Sequence, residues 1–300
     1  MSNAQTKQAL KARRGISDRA LPYVLVAPTF LFIVMWLILP LGYALYCSFW
    51  RCDYLQFTKT VGLENYISML GSKAIQQDIG RTFYISGLSL AIALVLGTVL
   101  ALWINSERGM LAYLIQLMGL IPWVTSMVVA AMLWKWILQD DSGLMNYFIR
   151  VLGGQKVGFL TNKTIAVYAL IFVMTWRVIG YVMVQVLAGL KSVPHDLEEA
   201  AYVDGANKWQ MFWAVRFPML KTPLTISAII VGLSNLNNLT VPLTLTGGGP
   251  GVATTTIAIE LNKQSMKYYH FGEASALSVV LVAINFILML LYVKAVKYDV

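Results

Sequence analysis

Residues Leu21–Trp50 read LPYVLVAPTFLFIVMWLILPLGYALYCSFW and contain no Asp, Glu, Lys or Arg. About 20 mostly apolar residues cross the roughly 30 Å of hydrocarbon in a bilayer, so this stretch is long enough to span one. The same pattern recurs along the chain. Thr82–Ser106 and Gly109–Trp134 are also uncharged, Thr164–Leu190 is interrupted only by Arg177, and Ala274–Val293 closes the series. Thr222–Ile259 is uncharged too, but Gly247-Gly248-Gly249-Pro250 interrupts it, so helix is expected only to about Leu239. The expected fold is an all-α membrane protein with six transmembrane helices. Pro122 lies inside the third run and removes a backbone hydrogen bond that neighbours must replace.

Composition agrees. The 300 residues are 58% hydrophobic and 12% charged, whereas a globular chain carries about 25% charged residues. The net charge of +9 does not indicate nucleic acid, because the basic residues stand between apolar runs, where Lys and Arg orient spans. Six spans put both termini on one side. The tail with Lys7, Lys11, Arg13, Arg14 and Arg19 then shares that side with Arg108, with 191–221 and with Lys294 and Lys297. These segments are about twice as dense in Lys and Arg as the opposite loops, so the orientation is expected to be N-in/C-in. Residues 1–20 read as a cytoplasmic tail without a signal-peptide core, and Met1–Ala4 carries no weight. Cys47 and Cys52 lie near one boundary, where a disulfide is possible and not required. His195 and His270 are far apart, and no metal set is expected.

The longest internal polar segment is 191–223, KSVPHDLEEAAYVDGANKWQMFWAVRFPMLKTP, between the fourth and fifth spans. Two short helices are expected. Pro194 suits a first turn, and Asp196, Glu198 and Glu199 place negative charge toward the positive end of the helix dipole. Leu197, Ala200 and Ala201 share one face. Asp204-Gly205 stops the first helix, and Asn207 with Gln210 forms a capping box for the second. That helix presents Trp209, Phe212, Trp213 and Val215 until Pro218 ends it. Such a face either awaits a partner or packs on the membrane or the chain's own spans.

The pattern Glu199-Ala200-Ala201-x-x-Asp204-Gly205-Ala206, followed by Val215, Phe217-Pro218 and Pro223, resembles the EAA loop of binding-protein-dependent ABC importer permeases. Leu190-Lys191-Ser192-Val193-Pro194 is similar to the preface of that loop. Thr246-Gly247-Gly248-Gly249-Pro250 with the Thr254–Thr256 run resembles the carbohydrate branch, as do Leu120-Ile121-Pro122-Trp123 and Trp134-Lys135-Trp136. Val215 stands where isoleucine is usual. The resemblance covers about residues 20–297, and the nearest pattern is the first permease of the maltose-transporter type.

The resemblance implies a type I ABC importer permease fold over 21–297, in the bacterial cytoplasmic (inner) membrane. It implies a heterodimer with a second permease over two ATPase subunits, fed by an external solute-binding protein and moving a sugar-like solute by alternating access. Glu199, Ala200, Ala201, Asp204, Gly205 and Ala206 would couple to the ATPase. ATP and magnesium would bind there and not in this chain, which has no G-x-x-x-x-G-K-[ST] motif and is expected to be no enzyme.

A sugar site needs an aromatic face and amide or hydroxyl groups. Asn235 and Asn238 put two amides on one face of the fifth span, as solute contacts or as helix–helix bonds. By resemblance they align with sugar-contacting positions, as do Trp123 and Tyr181, whose other reading is core or interface packing. Asn237 reads as a helix–helix bond. Arg177 lies one turn before Tyr181, mid-span, where an arginine costs about 2.5–3.5 kcal/mol unless compensated. It either faces the cavity and an anionic solute, or meets water, carbonyls or the second permease. The rival cargo class is an amino acid, polyamine or phosphate ester. An ion-coupled secondary transporter would call for carboxylates within the spans, and the uncharged runs hold none.

The orientation is checked by cysteine labelling in intact cells on a background lacking Cys47 and Cys52. Lys156→Cys is expected to react with a membrane-impermeant maleimide and Lys208→Cys to be protected; the reverse pattern would invert the topology.

Overall fold

The computed structural model describes residues 21–107 and 109–295. The expected cytoplasmic tail, 1–20, and the last residues, 296–300, lie outside the described residues. Helix α1 is Leu21–Ser48. A hairpin of β1, Trp50–Asp53, and β2, Gln56–Thr60, leads to α2, Glu64–Gly71. Then come α3, Lys73–Ser106, α4, Met110–Val124, α5, Met127–Ile137, and α6, Leu144–Val151. Helix α7 is Lys163–Lys191, α8 is His195–Val203, and α9 is Lys208–Leu236. Finally α10 is Thr240–Leu245, α11 is Ile257–Asn262, and α12 is Phe271–Ala295.

Five helices, α1, α3, α7, α9 and α12, are long and apolar enough to cross a bilayer. The sixth span is broken. Helices α4 and α5 meet at an angle of 101° around Thr125-Ser126, so the third apolar run bends sharply just after Pro122. Pro122 itself stays inside α4.

Two spans carry a wide π turn just ahead of a proline. Val34–Ile38 precedes Pro40 in α1, and Phe212–Arg216 precedes Pro218 in α9. A proline ring normally strikes the carbonyl four residues back. The wider turn displaces that carbonyl, and the helix runs on. Pro218 therefore does not end the helix, contrary to the sequence expectation. The second helix of the loop is the foot of the fifth span, continuous from Lys208 to Leu236.

Helix α7 is the axis of the fold. Of its most apolar stretch 61% is buried within the chain, against 0% for α1. It packs on α3, α4 and α9 through glycines. A Cβ on Gly180 would lie 1.9 Å from the Gly119 carbonyl oxygen of α4. A Cβ on Gly97 of α3 would meet Val182 at 2.6 Å, and one on Gly189 would meet Pro223 at 2.7 Å. Between apolar helices in lipid, attraction comes from close contact more than from water release, so small residues set the approach. The buried hydroxyls join in: Thr175 Oγ1 donates to Ser89 Oγ at 3.1 Å across the α7–α3 seam.

The hairpin was not expected. Its turn residues, Tyr54 and Leu55, have φ of 51° and 64°, the left-handed pair of a tight two-residue loop. Asn65 of α2 anchors it, donating to the carbonyls of Ser48 at 2.8 Å and Trp50 at 3.0 Å. Gly272 lets α12 start against the Trp50 carbonyl, which a Cβ would approach to 2.3 Å. Cys47 and Cys52 are buried free thiols.

Helix α3 begins earlier than the uncharged run and takes in a carboxylate. Asp78 is buried and ion-paired with Arg81. Arg81 Nε also donates to the Thr255 carbonyl at 3.1 Å, and Thr82 Oγ1 accepts from Ile257 N at 2.9 Å.

Gly180→Ala is expected to lower the thermal stability of the purified protein, at a cost of about 1–3 kcal/mol for overpacking a tight seam. Gly80→Ala and Gly87→Ala, where a Cβ meets nothing within 4 Å, should be neutral or stabilising. Fluorescence-detected unfolding in detergent reads the difference.

Candidate functional site

Three regions carry polar or aromatic groups that packing alone does not require. The first is the loop between α7 and α9. Helix α8 opens after Pro194, which is the cap and not the first helical residue. It closes through two paired bonds: Gly205 N donates to the Tyr202 carbonyl and Ala206 N to the Ala201 carbonyl, both at 3.0 Å. This closure needs a left-handed residue, and Gly205 supplies it with φ of 78°. Asn207 and Gln210 then form the reciprocal capping box: Asn207 Oδ1 accepts from the Trp209 and Gln210 amides, and Asn207 N donates to Gln210 Oε1 at 2.9 Å. Two helices are thus held at a fixed angle by backbone chemistry.

One ion pair locks them further. Arg216 Nε donates to Glu198 Oε1 at 2.8 Å, tying α8 to the π turn of α9. Glu198, Glu199, Tyr202, Val203 and Met211 line an open cleft of about 460 Å³. Leu197, Tyr202 and Val203 are 48%, 78% and 84% exposed, so α8 presents uncovered apolar surface. The aromatics of α9 divide. Phe212 packs into the core, and Trp209 and Trp213 stand beside it at the rim of a groove against Leu94, Thr98 and Leu102 of α3. The second helix of the loop therefore lies along the chain's own span, and the outward face belongs to α8.

The second region is the bend of the third span against α7. Trp123, Arg177 and Tyr181 come together there. The Trp123 and Tyr181 rings stack at 4.6 Å between centroids, 30° apart, and the Arg177 guanidinium carbon lies 5.6 Å from the Trp123 ring centre. Gln185, one turn beyond Tyr181, donates to its hydroxyl at 3.1 Å. The aromatic pair and Gln185 are half-buried, and Arg177 is buried.

Asn235 and Asn238 are engaged elsewhere. Asn235 Nδ2 donates to Ser89 Oγ at 3.2 Å, extending the Thr175–Ser89 link to α9. Asn238 Oδ1 accepts from Val241 N at 3.0 Å and caps the turn into α10. In this conformation both amides bind protein. Asn237, read as a helix–helix bond, exchanges bonds with Asn285 of α12 at 2.9 and 3.1 Å.

The third region is the glycine-rich loop after α10. Thr246 and Thr254 share a hydroxyl hydrogen bond of 2.6 Å, Thr254 Oγ1 donates to the Gly249 carbonyl at 2.7 Å, and Thr255 Oγ1 donates to the Gly248 carbonyl at 3.1 Å. Gly248, at φ of 90°, leaves room for Thr255 Oγ1, which a Cβ would meet at 2.8 Å. The Gly249–Pro250 peptide is cis. With Arg81 on Thr255 and Thr82 on Ile257, the loop is fixed to the head of α3.

Residues 14–296 match the family described as binding-protein-dependent transport system inner membrane component. The chain belongs to this family. It is an inner-membrane, multi-pass permease of an ABC importer with the type I fold. Similar proteins include the sulfoquinovosyl glycerol transport system permease protein SmoG of Agrobacterium fabrum, 28% identical over 94% of this chain and 92% of its own. The trehalose/maltose transport system permease protein MalF of Thermococcus litoralis is 28% identical over 96% of this chain and 98% of its own. Among solved structures, the bacterial alginate ABC transporter in complex with alginate pentasaccharide-bound periplasmic protein shares the fold. Its TM-score is 0.79 at 22% identity, over 91% of this chain and 93% of that one.

Four residues make contacts that the sequence reading did not single out. Gln185 sits four residues past Tyr181, a helical spacing that would have found it. Glu198 and Arg216 are eighteen residues apart on two helices whose angle the sequence does not state. Asp78 lay outside the uncharged run, and the permease extends the helix to include it.

Gly205→Val places a β-branched residue in left-handed backbone and costs the loop about 1–2 kcal/mol. Amide exchange at Gly205 and Ala206 is expected to speed up about tenfold, in line with about 1.4 kcal/mol of lost protection, while Gly205→Asn stays near wild type. Exchange mass spectrometry on the detergent-solubilised permease reads both.

Proposed function

We propose that this permease imports a sugar-like solute by alternating access, with both termini and the 191–223 loop in the cytoplasm. The observation that carries the reading is the rigid, outward-facing α8. A helix closed by Gly205, braced by Glu198–Arg216 and left with exposed Leu197, Tyr202 and Val203 fits a surface that transmits force to another subunit. That subunit would be an ATPase, binding ATP and magnesium itself, with Glu199, Ala200, Ala201, Asp204, Gly205 and Ala206 at the contact. A second permease would complete the path and a solute-binding protein would deliver the cargo. This chain would do no chemistry on ATP or solute.

The cargo class is supported by the aromatic pair Trp123–Tyr181 with Gln185, which offers a ring platform beside an amide. It is supported also by the printed cargoes of the relatives, sulfoquinovosyl glycerol and trehalose or maltose. A periplasmic binding protein accompanies the alginate transporter. Asn235 and Asn238 would reach solute only in another conformation of the α9–α10 junction, by exchanging their present bonds to Ser89 and Val241.

The test is reconstitution of the permease with its second permease, ATPases and receptor in lipid. Sugar-loaded receptor is expected to raise ATP hydrolysis several-fold over empty receptor. Glu199→Lys or Gly205→Val should abolish that stimulation with the permease still inserted. Full stimulation in both variants would remove α8 from the coupling path.

A further inference from the structure

Arg177 is the most demanding group in the membrane part of the molecule. It sits mid-way along α7, is 8% exposed, and its Nε has no hydrogen-bond partner. Among the described residues it enters no ion pair, and Asp78, the buried carboxylate of the neighbouring α3, is taken by Arg81. The Trp123 ring at 5.6 Å offers cation–π attraction, which fills none of the five N–H donors of a guanidinium. Helix–helix bonding, the usual duty of a polar group in a span, is therefore not what Arg177 does within this chain.

The neighbours of Arg177 are aromatic and neutral polar groups. Arg177, Tyr181 and Gln185 succeed one another at one-turn spacing on the face of α7 that meets Trp123. Four residues after Trp123, the span restarts as α5, and Ser126 makes no side-chain cap there. The start of a helix carries partial positive charge, and discontinuous spans use such ends toward anionic groups. A guanidinium with free donors is matched by an oxyanion that takes two parallel bonds. One cation compensates one charge. A doubly charged group would bring an uncompensated charge into low dielectric.

We propose that Arg177 is the anion-recognition residue of the transport path, and that the cargo is a sugar-like solute bearing one carboxylate or sulfonate. Its ring lies beside the Trp123–Tyr181 pair and its anionic group on the guanidinium. The assignment rests on the sugar-importer reading and adds the charge of the cargo to it. Arg177 is thus a specificity-determining residue, and the aromatic pair alone would accept a neutral ring.

The experiment measures uptake into proteoliposomes bearing the complete importer, normalised to assembled complex. The probes are methyl glucoside, methyl glucuronide and the 6-sulfonated methyl glycoside of the same ring. Wild type is expected to take up at least one charged probe about tenfold faster than the neutral one, and Arg177→Gln to lose that uptake about tenfold or more. Arg177→Lys, which keeps the charge, should retain most of it. A neutral probe preferred by wild type overturns the assignment and leaves the sugar-importer reading standing. So does charged uptake unchanged in Arg177→Gln, or equal loss of neutral and charged uptake in that variant, as expected if Arg177 only pairs with the second permease. Failure of all three probes to enter, with ATP hydrolysis unstimulated, overturns the sugar-importer reading and the assignment with it.

Discussion

In hydrocarbon a backbone N–H or C=O has no water to turn to, and each one left unpaired costs several kcal/mol. The permease meets that constraint in three ways. Its five continuous spans keep every bond internal, and where Pro40 and Pro218 interfere, a π turn takes up the error without ending the helix. The glycine-rich segment after α10 leaves helical geometry, and hydroxyls of Thr246, Thr254 and Thr255 take over the work of a ladder. At Thr125-Ser126, alone among the described residues of the spans, the chain turns through about a right angle, and Thr125 bridges the break by donating both its amide and its hydroxyl to the Ile121 carbonyl.

That economy determines where function can sit. Helices α3, α4 and α7 approach most closely at glycines, Gly119 on Gly180 and Gly97 on Val182. Where the third span bends, half-buried Trp123 stacks on Tyr181, and Gln185 lies one turn further along α7. The loop between α7 and α9 obeys the same logic. Its two capping systems satisfy free backbone groups at the end of α8 and at the foot of α9.

Much of this was legible in the residues. The apolar runs locate four of the six spans to within a turn and place the starts of α3 and α9 nine and fourteen residues too late, and Asp204-Gly205 and Asn207-x-x-Gln210 state their caps outright. The failures have physical causes. The start of α3 was placed too late because a buried Asp78–Arg81 pair reads as two charges until its partners are seen. Pro218 was read as a stop because a π turn has no signature in a single sequence. The hairpin escaped because Tyr54 and Leu55 hold φ values that glycine or asparagine normally announces. Arg177 and Tyr181 were read together, one turn apart, and Trp123 separately; the bend that brings Trp123 to them was signalled only by Pro122. Asn235 and Asn238 were expected on one face of the fifth span, but α9 ends at Leu236, so Asn235 meets Ser89 from the helix while Asn238 lies beyond it and caps the α10 turn.

The continuity of α9 has a mechanical meaning. Its 29 residues, Lys208–Leu236, form a rod of about 43 Å at the rise of an α-helix. The lower end is clamped to α8 by Glu198–Arg216, and the upper end carries Asn235 one turn below Asn238. A stiff rod converts rotation into travel: Asn235 lies about 28 Å along the axis from Arg216, so a tilt of about 10° at the clamp carries it about 5 Å, more than a hydrogen bond can follow. The bond between Asn235 and Ser89 is therefore at the long arm of a lever, and a modest rocking of α8 would suffice to break it.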